Sequence, residues 1–494
     1  MMGQSQSLAP KLFYHNLSLE QKVPSDHALR RIKRLVDFTF TRSQVADLYG
    51  ERGNVSVDPA VILKLMFLLF FENVKSERKL MAQLPLRLDW LWFCDYDLDE
   101  QTPHHSVISK ARGRWGPEVF DAFFVNILQQ CVAAGLVDGE TIHIDSSMIE
   151  ADASKDRLQP QLRVLTTELC QRLEAQPDAA VSPPPAAGGE PLAQRVSPAD
   201  PEARLGKKYS HTTLGYKNHR VIDDKTGIIT ATLVTPADTH DAKVLTQAIE
   251  THQAHTDIQV TTAVADKAYG NNENYQFLRE NAIKACIPHQ KHHSKADPEF
   301  SQDRFSYDGQ NDCYICPAGK QLARYDHARP QQGQSYRYRA PREVCQPCRF
   351  FSRCVASQRY GRQITRNLDS AYTEWAANCL SPGARRRLLR RRRFRAEGSF
   401  ADAANNHGFK RARWRGLIKV RIQNLLIATI QNLRKLLRHW GRSAGPAAAA
   451  EVKSLVLARY LVLAALFCRT ESTFNRLRCE SFLFPEPDGC FWLV

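Results

Sequence analysis

Hydrophobic and polar positions change their period along the chain, and the changes divide it into regions. From 26 to 135 the apolar positions recur at helical spacing. Val61 to Phe71 is apolar almost all round, and Asp58-Pro59 just before it supplies an N-cap with proline at the first helical position, so this stretch predicts a buried helix. A second cap signal, Thr102-Pro103, opens the short basic stretch His104 to Arg112, which suits either a solvated helix face or a helix in a major groove.

From 140 the period becomes two. Ile142 and Ile144 fall on one face and His143 and Asp145 on the other, which predicts a strand ending in an acid. A helix is expected over roughly 159 to 174, and the Pro-, Ala- and Gly-rich stretch 175–203 reads as a linker-like excursion. A hairpin follows, Gly215 to Ile222 and Ile228 to Val234 about the turn Asp223 to Gly227. Asp238 to Asp241 is expected to cap a helix reaching His252. Ile258 to Asp266 predicts a second strand ending in an acid, followed by a helix over 273–281 and a short strand, Ile283 to Pro288. A hairpin followed by crossover helices implies an α/β fold, a mixed sheet flanked by helices, with an all-α domain in front of it.

Between about 290 and 365 the pattern breaks into polar, loop-like sequence rich in Cys, Tyr and Arg, with no core visible. Helices return from 370, with Ile418, Ile422, Leu425, Leu426, Ala428 and Leu433 in helical register. The expected organisation is an arm (1–25), a helical domain (26–135), a first part of the catalytic core (136–289), a Cys-rich insertion (290–368), a basic helical part of the core (369–443) and a tail (444–494).

Charge sharpens this picture. The chain of 494 residues carries a formal charge of +16, a surplus that points to a polyanionic partner. Pro382 to Arg442 holds 18 Lys and Arg against Glu397 and Asp402, so this one segment accounts for the whole surplus. The N-terminus has no apolar stretch of signal-peptide length, and the apolar run Leu455 to Cys468 is interrupted by Arg459 and too short to span a bilayer. A cytoplasmic protein without a membrane partner is expected. Its thirteen cysteines should then be reduced, and ligation or burial is favoured over disulfides.

Two constellations carry candidate chemistry. Asp145 and Asp266 each close a predicted strand, and Glu397 is the lone acid in an arginine-dense helix. Three such carboxylates can converge on hard divalent cations, and two cations about 4 Å apart are what phosphodiester hydrolysis requires. Glu397 is equally readable as an ordinary salt-bridge partner. Glu150, Asp152, Asp238 and Asp241 are alternative acids, with His240-Asp241 read as a helix cap. The second constellation is Cys313-x-x-Cys316 and Cys345-x-x-Cys348 with Cys354 six residues on, a zinc-like spacing with five candidates for four places. Arg390, Arg391, Arg392, Arg393 and Arg395 cover every face of a helix, and Lys410, Arg411, Arg413 and Arg415 follow, interleaved with Phe409 and Trp414. Phosphate contact explains them better than a solvated face, with Trp414 read as a core contact.

The ordered segments Ile142-His143-Ile144-Asp145-Ser146-Ser147, Gly215-Tyr216-Lys217-Asn218-His219, Ala265-Asp266-Lys267-Ala268-Tyr269-Gly270 and Glu397-Gly398-Ser399-Phe400-Ala401-Asp402-Ala403, followed by His407 to Gly416, resemble the DDE transposases of bacterial insertion sequences over roughly 25–440. The resemblance implies a ribonuclease-H-like core in which Asp145, Asp266 and Glu397 hold two Mg²⁺ or Mn²⁺ ions. It also implies a helical domain that helps to recognise terminal inverted repeats, and zinc on Cys316, Cys345, Cys348 and Cys354 with Cys313 as the alternative. The expected function is transposition at the nucleoid: cleavage of double-stranded DNA at the element's ends and transfer to a target, by at least a homodimer. A catalytically inactive DNA binder, and a nuclease that cuts without joining, are the alternatives. The tail beyond about Gly445 departs from the family pattern.

Overall fold

A computed structural model describes residues 18–50, 55–160, 195–208, 211–288, 298–325, 335–355, 359–367 and 370–443. The tail 444–494, most of the N-terminal arm and nearly all of the expected helix 159–174 lie outside these. The chain forms two compact units, one of 1–138, 150–202 and 402–494, the other of 139–149 and 203–401. No helix among the described residues is long and apolar enough to cross a membrane.

The first unit is helical. Its central helix, Pro59–Phe71, starts where the sequence places it, because the Asp58 side chain accepts from the Ala60 N–H at 2.9 Å. Nearly every side chain of it is buried, including Lys64, whose ammonium pairs with Asp95. The helices Glu118–Ala133 and Leu417–Ser443 pack in the same unit, the latter burying Val420, Ile422, Leu425, Leu426 and Leu433 while Ile418 is exposed. The basic helix begins at Ser106, not at the expected cap Thr102, and runs to Trp115. Its Arg112 is buried and paired with Glu77.

The second unit is built on a mixed sheet. In chain order its strands are β1 (Thr141–Glu150), β4 (Arg204–Lys208), β5 (His211–Asp223), β6 (Ile229–Pro236), β7 (Thr262–Ala265) and β8 (Lys284–Cys286), while the short ladder of β2 (Gln159–Pro160) with β3 (Arg195–Val196) belongs to the first unit. The six-stranded sheet has the order β4-β5-β1-β7-β8, with β6 on β5. The hairpin β5-β6 is antiparallel, and β1-β7 and β7-β8 are parallel. Because parallel strands are covered on both faces, His143 is buried although it alternates with the apolar Ile142 and Ile144. Helices Leu245–Thr256 and Asn272–Glu280 make the crossovers.

The Cys-rich segment is not loop-like. It forms a second sheet, β9 (Ser306–Asp308), β10 (Cys313–Ile315), β11 (Gln321–Arg324), β12 (Ser335–Arg339) and β13 (Gln363–Asn367), in the order β13-β12-β11-β10-β9. It has its own core of Phe305, Tyr314, Leu322, Tyr338 and Ile364. Three of these five residues are aromatic, and Tyr338 lies between Arg337 and Arg339 and Phe305 follows Arg304, which is why the sequence reads as polar. Asp312 accepts from the hydroxyls of Tyr307 (2.9 Å) and Tyr338 (2.6 Å), so the polar ends of these rings are satisfied inside the subdomain.

Candidate active site

Parallel pairing positions the first two acids. β1 and β7 are in register with Ile144 opposite Ala265, so Asp145 and Asp266 follow at neighbouring positions on adjacent strands. Asp266 is the first residue past β7, and its carboxylate accepts from the Lys267 N–H at 2.6 Å as the cap of a 3-10 turn. Asp145, expected at a strand end, instead lies within β1, which continues to Glu150.

Asp145 is countered by a cation of the chain itself. Arg392 donates from Nη1 to Oδ2 at 2.8 Å, with both side chains more than four-fifths buried. Next to it Ser146 Oγ donates to Asp241 Oδ2 (3.0 Å), and Lys217 Nζ donates to Asp241 Oδ1 (3.0 Å) and to the Thr239 carbonyl (2.7 Å). The His240 imidazole accepts from the Ala242 N–H and makes the cap, which frees Asp241 to face this network. Tyr269 is fully buried, and burial together with the Asp241 and Asp145 carboxylates holds its phenol protonated. Its hydroxyl meets His219 Nδ1 at 3.1 Å, and burial pushes that imidazole down to about 4. Sequence reasoning named Asp241 only as an alternative acid inside a helix cap, and Arg392 only as a phosphate contact, not as the partner of Asp145. A cap reading hid the first, and an arginine paired 247 residues away has no local signal.

Glu397 lies on a continuous helical segment: Pro382–Arg392, a π-helical turn Arg393–Glu397, then Gly398–His407. A regular α-helix would set Glu397 about 140° round from Arg392, whereas a turn closed by i→i+5 bonds returns it to roughly the same face. Glu397 is exposed. The β1-β7 register makes Asp145 and Asp266 neighbours, but among the described residues no group of three His, Cys, Asp or Glu side chains is placed to hold one metal ion, so Glu397 is not joined to them.

The arginine helix does not present cations on every face. Arg391 pairs with Asp224 (2.9 Å), Arg392 with Asp145, and Arg395 donates to the Lys225 carbonyl (2.7 Å). Arg386, Arg387, Arg390 and Arg393 are exposed at helical spacing, one outward stripe. In the helical unit Arg413 is structural: it donates to the carbonyls of Leu69 (3.0 Å), Val74 and His407 and to Asn73 Oδ1 (2.9 Å), and burial pulls its guanidinium down to about 10. Trp414 meets Phe70 edge-on under Arg112 and is a core contact, as expected. Arg411 and Arg415 pair with Asp152, and Lys410 is exposed.

Cys316, Cys345, Cys348 and Cys354 line one cavity of about 30 Å³ with Phe300, Leu322 and Arg362; Cys313, buried in β10, does not line it. Burial, opposed by Arg362 and reinforced by the other three thiols, raises the Cys354 thiol.

Two family patterns match the chain, a transposase domain (DUF772) over residues 17–114 and a transposase DDE domain over residues 315–437. The chain carries the domains of an insertion-sequence DDE transposase. The first match covers the helices from Leu19 and ends at Arg114, one residue short of the end of the basic helix. The second begins in β10, includes the cavity cysteines and the arginine helix with Glu397, and ends in the last long helix. DNA is the partner that these domains imply. No curated protein matches the chain.

Proposed function

We propose that this transposase cuts DNA at the inverted repeats of its own element and joins the freed ends to a target, with Asp145, Asp266 and Glu397 as the acids that serve the reaction. The observation that carries the reading is the register Ile144 opposite Ala265, which sets two carboxylates side by side where a mixed sheet passes from β1 to β7. The same sheet, antiparallel on the hairpin side and parallel on the other, supports a ribonuclease-H-like core.

The donors fit a hard divalent cation. Asp145 and Asp266 are carboxylates, and Asp145 already holds a positive group, Arg392. When bound, two Mg²⁺ or Mn²⁺ ions would stabilise charge on the attacking and leaving oxygens. The chain's own part is positioning. Ser146 and Asp241 fix the strand beside Asp145, the π-helical turn aims Glu397 to the Arg392 face, and the stripe Arg386, Arg387, Arg390 and Arg393 holds phosphate. The helical domain would read the repeats, at least a homodimer would bring two ends together, and the four cavity cysteines, whose thiolates are the donor type zinc takes, would hold structural zinc once drawn closer together than the described side chains stand. Arg413 stays outside the DNA-contacting set because its donors are used within the protein.

The test is Mg²⁺-dependent nicking of DNA carrying the element's ends. Asp145→Asn is expected to lower the rate at least about a hundredfold, and equal rates in the two proteins would remove the assignment. A second reading, a DNA binder without catalysis, has its own support in the exposed Glu397 and in the ion pair that occupies Asp145. It predicts no metal-dependent nicking by wild type.

A further inference from the structure

Among the described residues the aromatic core of the second sheet lies on one face only. Residues directly opposite in an antiparallel pair share a face, and the register Tyr338 with Ile364, Tyr314 with Leu322 and Tyr314 with Tyr307 collects the aromatic core on one side. The same register sets Arg339 opposite both Ala323 and Gln363, and Arg337 opposite Thr365, on the other side. There Ala323, Arg337, Gln363 and Thr365 are exposed and Arg339 is half-buried. The Arg339 guanidinium lies over the ring of Tyr325 at 4.4 Å and near that of Tyr360 at 5.2 Å, and Arg359 approaches Tyr360 from beside it at 5.6 Å.

A sheet face that packed against protein would carry apolar side chains. At β12 and β13 this face carries Arg337, Arg339, Gln363 and Thr365, with the buried Cys313 and the exposed Ala323 further across it, and its two tyrosines stack on guanidinium groups. From Ser335 to Asn367 the sequence has eight arginines against the single acid Glu343, so the charge of the subdomain favours a polyanion. Guanidinium groups spaced along a strand suit successive phosphates, and Arg-stacked tyrosine rings are the platform on which a base can extend the stack.

We propose that this face of the insertion, centred on Arg337, Arg339 and Arg359 with Tyr325 and Tyr360, is a second DNA-binding surface, separate from the arginine helix. It grips a strand through its phosphates and stacks a base at the tyrosine edge. The inference rests on DNA being the partner and not on the assignment of the catalytic acids.

The experiment compares the full chain with the triple variant R337Q/R339Q/R359Q and its charge-retaining counterpart R337K/R339K/R359K. Binding to a short duplex of arbitrary sequence, and to one of its single strands, is measured by anisotropy across a salt series. Losing three phosphate contacts should lower the slope of log affinity against log salt by about 2 to 3. The Lys variant should restore most of that slope, and Tyr360→Ala should weaken the single-strand arm alone if the ring stacks a base. A drop in slope on either probe with the fold intact by circular dichroism supports the surface. Unchanged slopes on both probes overturn it, and nicking by the same triple variant, assayed alongside, tells a failure here from a failure of the catalytic reading.

Discussion

At the residue scale the informative feature is a buried histidine with a partner on each ring nitrogen. His252 is fully buried, with Nδ1 at 2.7 Å from Thr230 Oγ1 and Nε2 at 3.0 Å from the Gly139 carbonyl. Burial pushes it down to about 4, so the native state resists a proton that the unfolded chain accepts near pH 6.5. Stability is therefore full above pH 6.5 and falls as the pH drops toward 4, by up to about 3 kcal/mol for this one group. Urea denaturation at pH 7 and pH 5 should show the loss, and His252→Gln should flatten it. None of this was legible in the sequence, because His252 reads only as the end of a helix. That Asp145 and Asp266 each follow an apolar run was legible as a local pattern, but the strand end expected at Asp145 was not met, because β1 continues to Glu150. Arg392, which sits on Asp145, was not legible.

At the element scale the π-helical turn Arg393–Glu397 is the device to test. Inserting one alanine after Phe394, which is exposed, would turn Glu397 about 100° relative to the preceding helix, Pro382–Arg392. Nicking should then fall as far as in Asp145→Asn, while binding to end-containing DNA is kept; undiminished nicking would show that the wide turn has no part in the reaction. Arg413 makes the opposite kind of element, a clamp on helix-end carbonyls. Arg413→Ala strands the Leu69 and Val74 carbonyls and should cost about 2 to 3 kcal/mol in a denaturation midpoint assay, with the salt slope of DNA binding unchanged. Sequence periodicity found the helix Pro59–Phe71 and the hairpin β5-β6, whose patterns are simple. It failed on the Cys-rich segment, where a core of tyrosine rings with hydroxyls tied to Asp312 gives no apolar run to read.

At the scale of the whole molecule the charge surplus is divided between uses that the sequence alone merges. Part of the arginine is internal, on Asp145, Asp224 and backbone carbonyls, and part forms outward faces. The cavity cysteines belong to this scale too, because zinc bound there would be part of the folding free energy of the insertion. Protein purified without chelator is expected to carry about one zinc per chain, lost in Cys348→Ser; metal analysis showing none in wild type would end that proposal. Family-level features were the easiest to read, because ordered motifs survive in one dimension. Which arginine meets phosphate and which meets a carbonyl is settled only by long-range packing.

The order of strands also sets an order in time. A ribosome finishes the sheet at Cys286 with both neighbouring acids already in it, and must still make the entire insertion before Arg392 and Glu397 emerge. A half-made chain, or one cut short by a premature stop, holds two acids without their counter-charge and without their third member, so on the proposed chemistry a transposon cannot be mobilised by a nascent enzyme.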